Sequence, residues 1–173
     1  MTRPLETTAS NHPAIVASAG IAFTHEPETA RSSMAFPSVC VLPSGRWLAS
    51  CRAAPRKIPT RSQHVLLSHS DDAGRTWSTP HAPFEPPRLG GKPGLFRGAY
   101  LTALGGAEVL AALMWVDHSA PAADFFNEET EGLLDTRIFL SRSSDGGESW
   151  STPSLVNTGP FDVPTPLTGP VLS

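Results

Sequence analysis

The chain has 173 residues, 39% of them hydrophobic and 17% charged, with a formal net charge of −3 at pH 7 and a pI near 6.0. That length suffices for one domain with a real core. The charge balance speaks against nucleic acid or an anionic membrane as the main partner, and no apolar run approaches the ~20 residues that span a bilayer. The 18 Pro and 14 Gly favour a turn-rich, all-β chain over a helical one.

Residues 1–13 read as a flexible tail. The first 20 residues show no continuous apolar stretch of the kind a secretory signal has, so the default expectation for the compartment is the cytoplasm. Ala14–Phe23 has the composition of a strand, and the polar stretch Thr24–Ser33 breaks it. "PSVCVLPSGRWLASCRA" is two apolar runs around a Pro-Ser-Gly turn, which predicts a hairpin. A two-residue Ser44-Gly45 turn would set Cys40 opposite Ala49 and diagonal to Cys51, a poor geometry for a disulfide. Both cysteines are read as small buried thiols, and neither has zinc-ligand spacing. "AAPRKIPTRSQ" is a loop, "HVLLSHS" a third strand, and "TWSTPHAPF" a short fourth.

The order then recurs. "GAYLTAL", a "GGAE" turn and "VLAALMWV" form a second hairpin; after an insertion, "RIFLSRS" and "SWSTPSLVN" follow as third and fourth strands. Val109–Val116 is apolar throughout, which predicts burial on both sheet faces; a buried helix is the competing reading. "PLTGPVLS" reads as the first strand of a third unit. The chain thus divides into two four-stranded units, about 34–86 and 96–157, and a start of a third at about 164–173. Such units suit the blades of a β-propeller, with a β-sandwich as the alternative.

One word occurs at the same place in both units. The first copy is Ser70, Asp72, Gly74, Thr76 and Trp77; the second is Ser143, Asp145, Gly147, Ser149 and Trp150. Asp accepts hydrogen bonds from nearby backbone N–H groups, here expected one and two residues on, and closes a tight turn. Gly permits a positive φ, the hydroxyls satisfy further backbone groups, and the Trp ring packs under the turn as the next strand begins.

This word resembles the Asp-box, or bacterial neuraminidase repeat, of the sialidase superfamily. The resemblance covers roughly residues 14–173 and implies an all-β fold, a sialidase-like six-bladed β-propeller of which this chain covers about two blades and the first strand of a third. It also implies that Asp72 and Asp145 are structural, not catalytic. In the family, three arginines hold a substrate carboxylate, an Asp is the acid/base and a Tyr is the nucleophile. The first of those arginines belongs to a "(Y/F)RIP" word, matched here by "MAFPSV", with Ala35 in the arginine position. An Ala makes no bidentate grip on a carboxylate. The loop expected to carry the acid, "AAPRKIPTRSQ", has no Asp or Glu, and the only tyrosine, Tyr100, falls within a strand. The resemblance therefore implies an exo-glycosidase-type glycoside hydrolase, incomplete and not a standard sialidase. The alternatives are a non-catalytic propeller that binds glycans or proteins, and an inactive truncated fragment.

Propellers bind ligands at one end of their blades. That end is expected to hold Arg52, Arg56, Lys57 and Arg61 from the first unit, with Arg97 in "FRGAY" from the second. It also holds the long insertion Asp117–Thr136, with Asp117, His118, Asp124, Glu128, Glu129, Glu131 and Asp135 beside Phe125 and Phe126. Asp117 and Glu131 are the candidate acid and base for a glycosidic bond. Arg52, Arg56, Arg97, His118 and Glu128 are the candidate substrate contacts. A solvated acidic loop is the bland alternative. The expected partner is a carbohydrate or glycoconjugate, without cofactor, metal, nucleic acid or membrane. The remaining blades would come from a longer chain or from self-association.

Overall fold

The computed structural model describes residues 20–57, 63–127, 129, 132–160 and 164–171. Strands β1 (Ser33–Val41), β2 (Trp47–Ala54) and β3 (His64–Ser70) form one antiparallel sheet in that order. Strands β4 (Gly94–Gly105) and β5 (Glu108–Asp117) begin a second sheet. A short ribbon, β6 (Phe126–Asn127) with β7 (Gly132–Leu133), lies in the insertion. Strands β8 (Thr136–Ser143) and β9 (Ser154–Leu155) complete the second sheet in the order β4-β5-β8-β9. Among the described residues there is no helix.

The β1–β2 turn differs from expectation. Leu42 and Arg46 pair through a 2.8 Å bond from Leu42 N to Arg46 O, and Gly45 N donates to Leu42 O. The loop therefore has three residues and closes with Gly45 at φ +89°, where a side chain would be strained. The register moves by one, so Cys40 faces Leu48 rather than Ala49. A one-residue shift changes the sheet face. Cys40 joins Leu48 in the core between the sheets, whereas Cys51 packs with Ala53 and Leu66 on the other side. Both thiols are free.

Three further expectations are revised. The fourth strand of the first unit shrinks to a single bridge between Leu67 and His81. Pro80, Pro83, Pro86 and Pro87 remove the donors a ladder needs. Gly20–Phe23 is irregular chain, with Phe23 packed on the Cys51 cluster; residues 14–19 lie outside the described residues. Residues 164–171 also carry no strand, and Pro164, Pro166 and Pro170 explain this in the same way. They run beside the second sheet, with Thr165 N bonded to Thr136 O and Thr102 Oγ1 to Val171 O.

The main core lies between the two sheets. Leu48, Val65 and Leu67 meet Phe96, Leu101, Leu113, Trp115 and Phe139 there, all almost fully buried. Each such side chain contributes roughly 1.5–3 kcal/mol. β5 is buried on both faces, as its unbroken apolar run predicts. Val109, Ala111, Leu113 and Trp115 face the first sheet, while Met114 and Val116 join Leu95 on the far side. Three polar bonds tie the first sheet to β4. Leu101 N donates to Ser38 Oγ at 3.0 Å, Ser50 Oγ to Ala99 O at 2.6 Å, and Gln63 Nε2 to Phe96 O at 3.0 Å.

The repeated word folds twice into the same turn. In the first copy Gly74 N donates to Ser70 Oγ at 2.8 Å, Thr76 N to Asp72 Oδ1 at 2.8 Å, and Trp77 Nε1 to Gly74 O at 3.1 Å. In the second, Gly147 N donates to Ser143 Oγ at 2.8 Å, Ser149 N to Asp145 Oδ1 at 2.9 Å, and Trp150 Nε1 to Gly147 O at 3.2 Å. Each Asp thus accepts from the N–H four residues on rather than one or two, and the serine hydroxyl takes the N–H of the glycine two residues on. Neither Trp begins a strand. Bonds from Thr76 hold the Asp72 carboxyl at about 2, and bonds from Ser149 hold that of Asp145 at about 2.

Candidate functional site

Two irregularities build the site. β1 slips its pairing between Ala35 and Ser38, and β4 slips between Phe96 and Gly98. Each β-bulge re-aims a side chain that a regular strand would send to a sheet face. On β1 the re-aimed residue is Phe36, held at φ +54°, an outlier for a bulky side chain. On β4 it is Arg97. β1 packs against β4, and Gly98 sits close enough for an added Cβ to meet Phe36 Cβ at 3.6 Å.

Phe36 brings two arginines together. The Arg52 guanidinium lies 5.4 Å from the ring centroid and that of Arg97 lies 5.3 Å from it. Arg97 also stacks 4.3 Å from the Phe125 ring, which reaches in from the insertion. Ring faces attract these cations by about 0.5–2 kcal/mol each, but they accept no hydrogen bonds in the guanidinium plane.

Arg52 is 1% exposed, and only its Nη1 is bonded, to Lys57 O at 3.1 Å. Its Nε and Nη2, and Nη1 of Arg97, are buried without an acceptor. Among the described residues no carboxylate pairs with either arginine. Burial lowers the pKa of Arg52, with Arg97 adding to the effect, and burial lowers that of Arg97. One buried and one half-buried cation, each with an idle donor, can bind the oxygens of an anion here.

The other expected residues fare differently. Arg56 and Lys57 are exposed beyond the end of β2, and Arg61 lies outside the described residues. Asp117 is committed elsewhere: its Oδ2 is 3.0 Å from Lys92 Nζ, and its Oδ1 accepts from Ser119 N at 2.8 Å. Burial pushes this carboxyl up, but the bonds from Ser119 and Lys92 outweigh it and the net direction is down. That suits an anion and not a general acid. Glu128 and Glu131 lie outside the described residues. Asp135 pairs with Arg137 at 2.9 Å, and Asp124, Glu129 and Phe126 are exposed. His118 is 6% exposed, with its backbone N bonded to Pro93 O. Tyr100 is buried in β4, and burial raises its pKa, away from nucleophile duty.

Of the residues expected at this end, the structure brings Arg52 and Arg97 together; Phe36, which lies between them, and Gln63, which bonds Phe96 O beside the β4 bulge, were not among those expected. The signal for Phe36 is Pro37, whose missing N–H interrupts the β1 ladder.

No protein-family model and no curated protein sequence matches the chain. Solved structures do. The NanB sialidase from Streptococcus pneumoniae aligns with a TM-score of 0.58 at 13% identity, over 83% of this chain and 39% of that one. The leech intramolecular trans-sialidase aligns with a TM-score of 0.59 at 13% identity, over 86% and 38%. The Hadza microbial sialidase Hz136 aligns with a TM-score of 0.55 at 17% identity, over 73% and 26%. At such identities the likeness shows the fold alone. The chain is part of an all-β, sialidase-like propeller, and its two sheets do not close a ring. It spans 26–39% of the length of these three proteins.

Proposed function

We propose that this chain is the ligand-gripping part of a sialidase-like glycoside hydrolase of the exo-glycosidase type, acting on a glycan that carries an acidic group. The carrying observation is the pair of Arg52, buried, and Arg97, half-buried, gathered around Phe36 with idle donors and no carboxylate partner among the described residues. On this reading the two repeated turns are Asp-boxes that brace the blades. Arg52 and Arg97 offer N–H donors to the acidic group, and Phe36 and Phe125 hold both guanidiniums in place. Ala35 stands where the family's first arginine is expected, so the grip differs from that of a standard sialidase. Glu131 remains the candidate to protonate the leaving oxygen, because Asp117 is engaged by Lys92. The other blades come from a longer chain or from copies of this one. Val39 and Val41, exposed on β1, favour such a neighbour.

Glycan binding without turnover is the second reading, favoured by the engagement of Asp117. Titration of the intact protein with glucuronate and N-acetylneuraminate, beside a panel of chromogenic glycosides, tests both. Acid binding lost in Arg52→Gln and Arg97→Gln supports the site. Hydrolysis lost in Glu131→Gln supports the enzyme. Acid binding with no turnover selects the second reading, and no acid binding at all sinks both.

A further inference from the structure

The first sheet offers three polar side chains to the backbone of β4: Ser38 from β1, Ser50 from β2, and Gln63 directly before β3. Ser38 and Ser50 bond Leu101 and Ala99, where β4 keeps a regular pairing with β5. Gln63 differs. Its Nε2 donates to Phe96 O at 3.0 Å, and Phe96 is the residue after which the β4 register slips. Arg97 follows, without a partner in the β4–β5 pairing. The Phe96 carbonyl and the Arg97 amide share one planar peptide unit. Holding that carbonyl fixes the plane from which the Arg97 side chain departs, and a bulged residue has no pairing of its own to do so.

The choice of residue points the same way. Gln63 is 6% exposed. Only the nitrogen end of its amide can donate to Phe96 O, so the partner determines its orientation. Its Oε1 is then a buried acceptor with no donor. Buried polar groups are normally satisfied, and an orphaned one lowers stability. A methionine would fill the same space without that penalty. What the amide alone supplies is the N–H for Phe96 O. Local rules broken in this way concentrate at functional places. The cleft that Gln63 lines includes neither Arg52 nor Arg97, so its effect on them runs through the β4 backbone.

We infer that Gln63 is the positioning residue of the cation pair: by donating to Phe96 O it sets the β4 bulge so that Arg97 turns to Phe36 beside Arg52. This rests on the acid-gripping reading above and deepens it.

The test is titration of the intact protein with glucuronate at about pH 5 and about pH 8. Gln63→Glu keeps the size and puts a carboxyl in place of the donor, which donates to Phe96 O only when protonated. Burial raises the pKa of such a carboxyl. The variant should therefore bind nearly as tightly as wild type at the lower pH and roughly tenfold more weakly at the higher one. His64, His118, Glu85 and Arg88 line the same cleft. They are present in wild type too, so its own profile removes their contribution. Gln63→Met, uncharged and without a donor, should be weak at both pH values, and it carries the test where a buried carboxylate unfolds the first variant. Ser50→Ala removes a neighbouring bond to β4 away from the bulge and should leave glucuronate affinity unchanged. Gln63 variants as tight as wild type at both pH values overturn the inference and leave the cation pair standing. A Gln63→Glu protein equally weak at both overturns it, since donation is then not the cause. Ser50→Ala as weak as Gln63→Met overturns it too, since the bonds then only dock the sheets. A wild type that binds neither glucuronate nor N-acetylneuraminate removes the acid-gripping reading, and the inference with it.

Discussion

Arg46 Nη1 lies 2.5 Å from Glu148 Oε1, and the Nε of the same guanidinium lies 2.7 Å from Asp71 Oδ1. Asp71 belongs to the first repeated turn and Glu148 to the second, so the turn of the first hairpin clasps both copies together. The bonds to Asp71 and then Glu148 raise the pKa of Arg46. Both carboxylates are more than half exposed, so the clasp orients the sheets more than it stabilises them. Arg46→Ala is expected to lower Tm by roughly 1–4 °C. Thermal unfolding at low and high salt checks this: the wild type should lose part of its advantage in salt, and the variant should not.

The glycines of the two turns are not equivalent. Gly74 is at φ +82° with room for a Cβ, which would meet Trp47 at 3.5 Å. Gly147 is at φ +89°, and a Cβ there would lie 2.8 Å from Leu48 Cδ2. Leu48 is 2% exposed, so its side chain must shift within the packed core to make room. Gly74→Ala should cost about 1–2 kcal/mol from backbone strain alone, and Gly147→Ala should cost more. Denaturant midpoints compare the two directly, and equal costs would contradict the packing account.

The turn aspartates predict an acid limit. Asp72 and Asp145 sit at about 2 in the folded protein, below the roughly 3.9 of an unfolded chain. The folded state therefore binds fewer protons in this window. The stability from these groups is fully present above about 4 and is lost as pH falls toward 2. Asp72→Asn combined with Asp145→Asn should flatten the pH dependence of Tm over that window. An unchanged slope would place the acid sensitivity elsewhere.

Arg52 is expected to act against stability. Its charge is buried with two idle donors, so Arg52→Met should leave Tm unchanged or raise it. The same change should abolish the Tm increase that a bound acidic sugar gives the wild type. A marked loss of stability would instead assign Arg52 to the bond with Lys57 O.

The thiols are predicted to be inert in the folded protein. Burial raises Cys40 to about 11 and Cys51 to about 12. Labelling with a thiol reagent at pH 8 should be slow until the protein unfolds. Rapid reaction of Cys51 would mean that its face of the first sheet opens.

Much of this architecture is written locally. Alternating and unbroken apolar runs, two glycine-centred turns and repeated strand order are short-range features, and they determined an all-β chain of two similar units. The buried faces of Val109–Val116 follow from the run itself, and the two turns need only residues within the same few positions. The hairpin register was not legible, because a two- and a three-residue loop use the same Pro-Ser-Gly letters and differ only in which residues pair. The fourth strand of the first unit was lost to prolines whose effect depends on having a neighbour to bond. The cation pair belongs wholly to the tertiary structure. Arg52 and Arg97 lie on different sheets, and they converge because two bulges, on β1 and β4, turn Phe36 and Arg97 toward the same point. A bulge is decided by the competition between ladder bonds and the packing of β1 on β4; Pro37 marks where the β1 ladder breaks, but no local pattern of residues says that Arg97 turns to the same point.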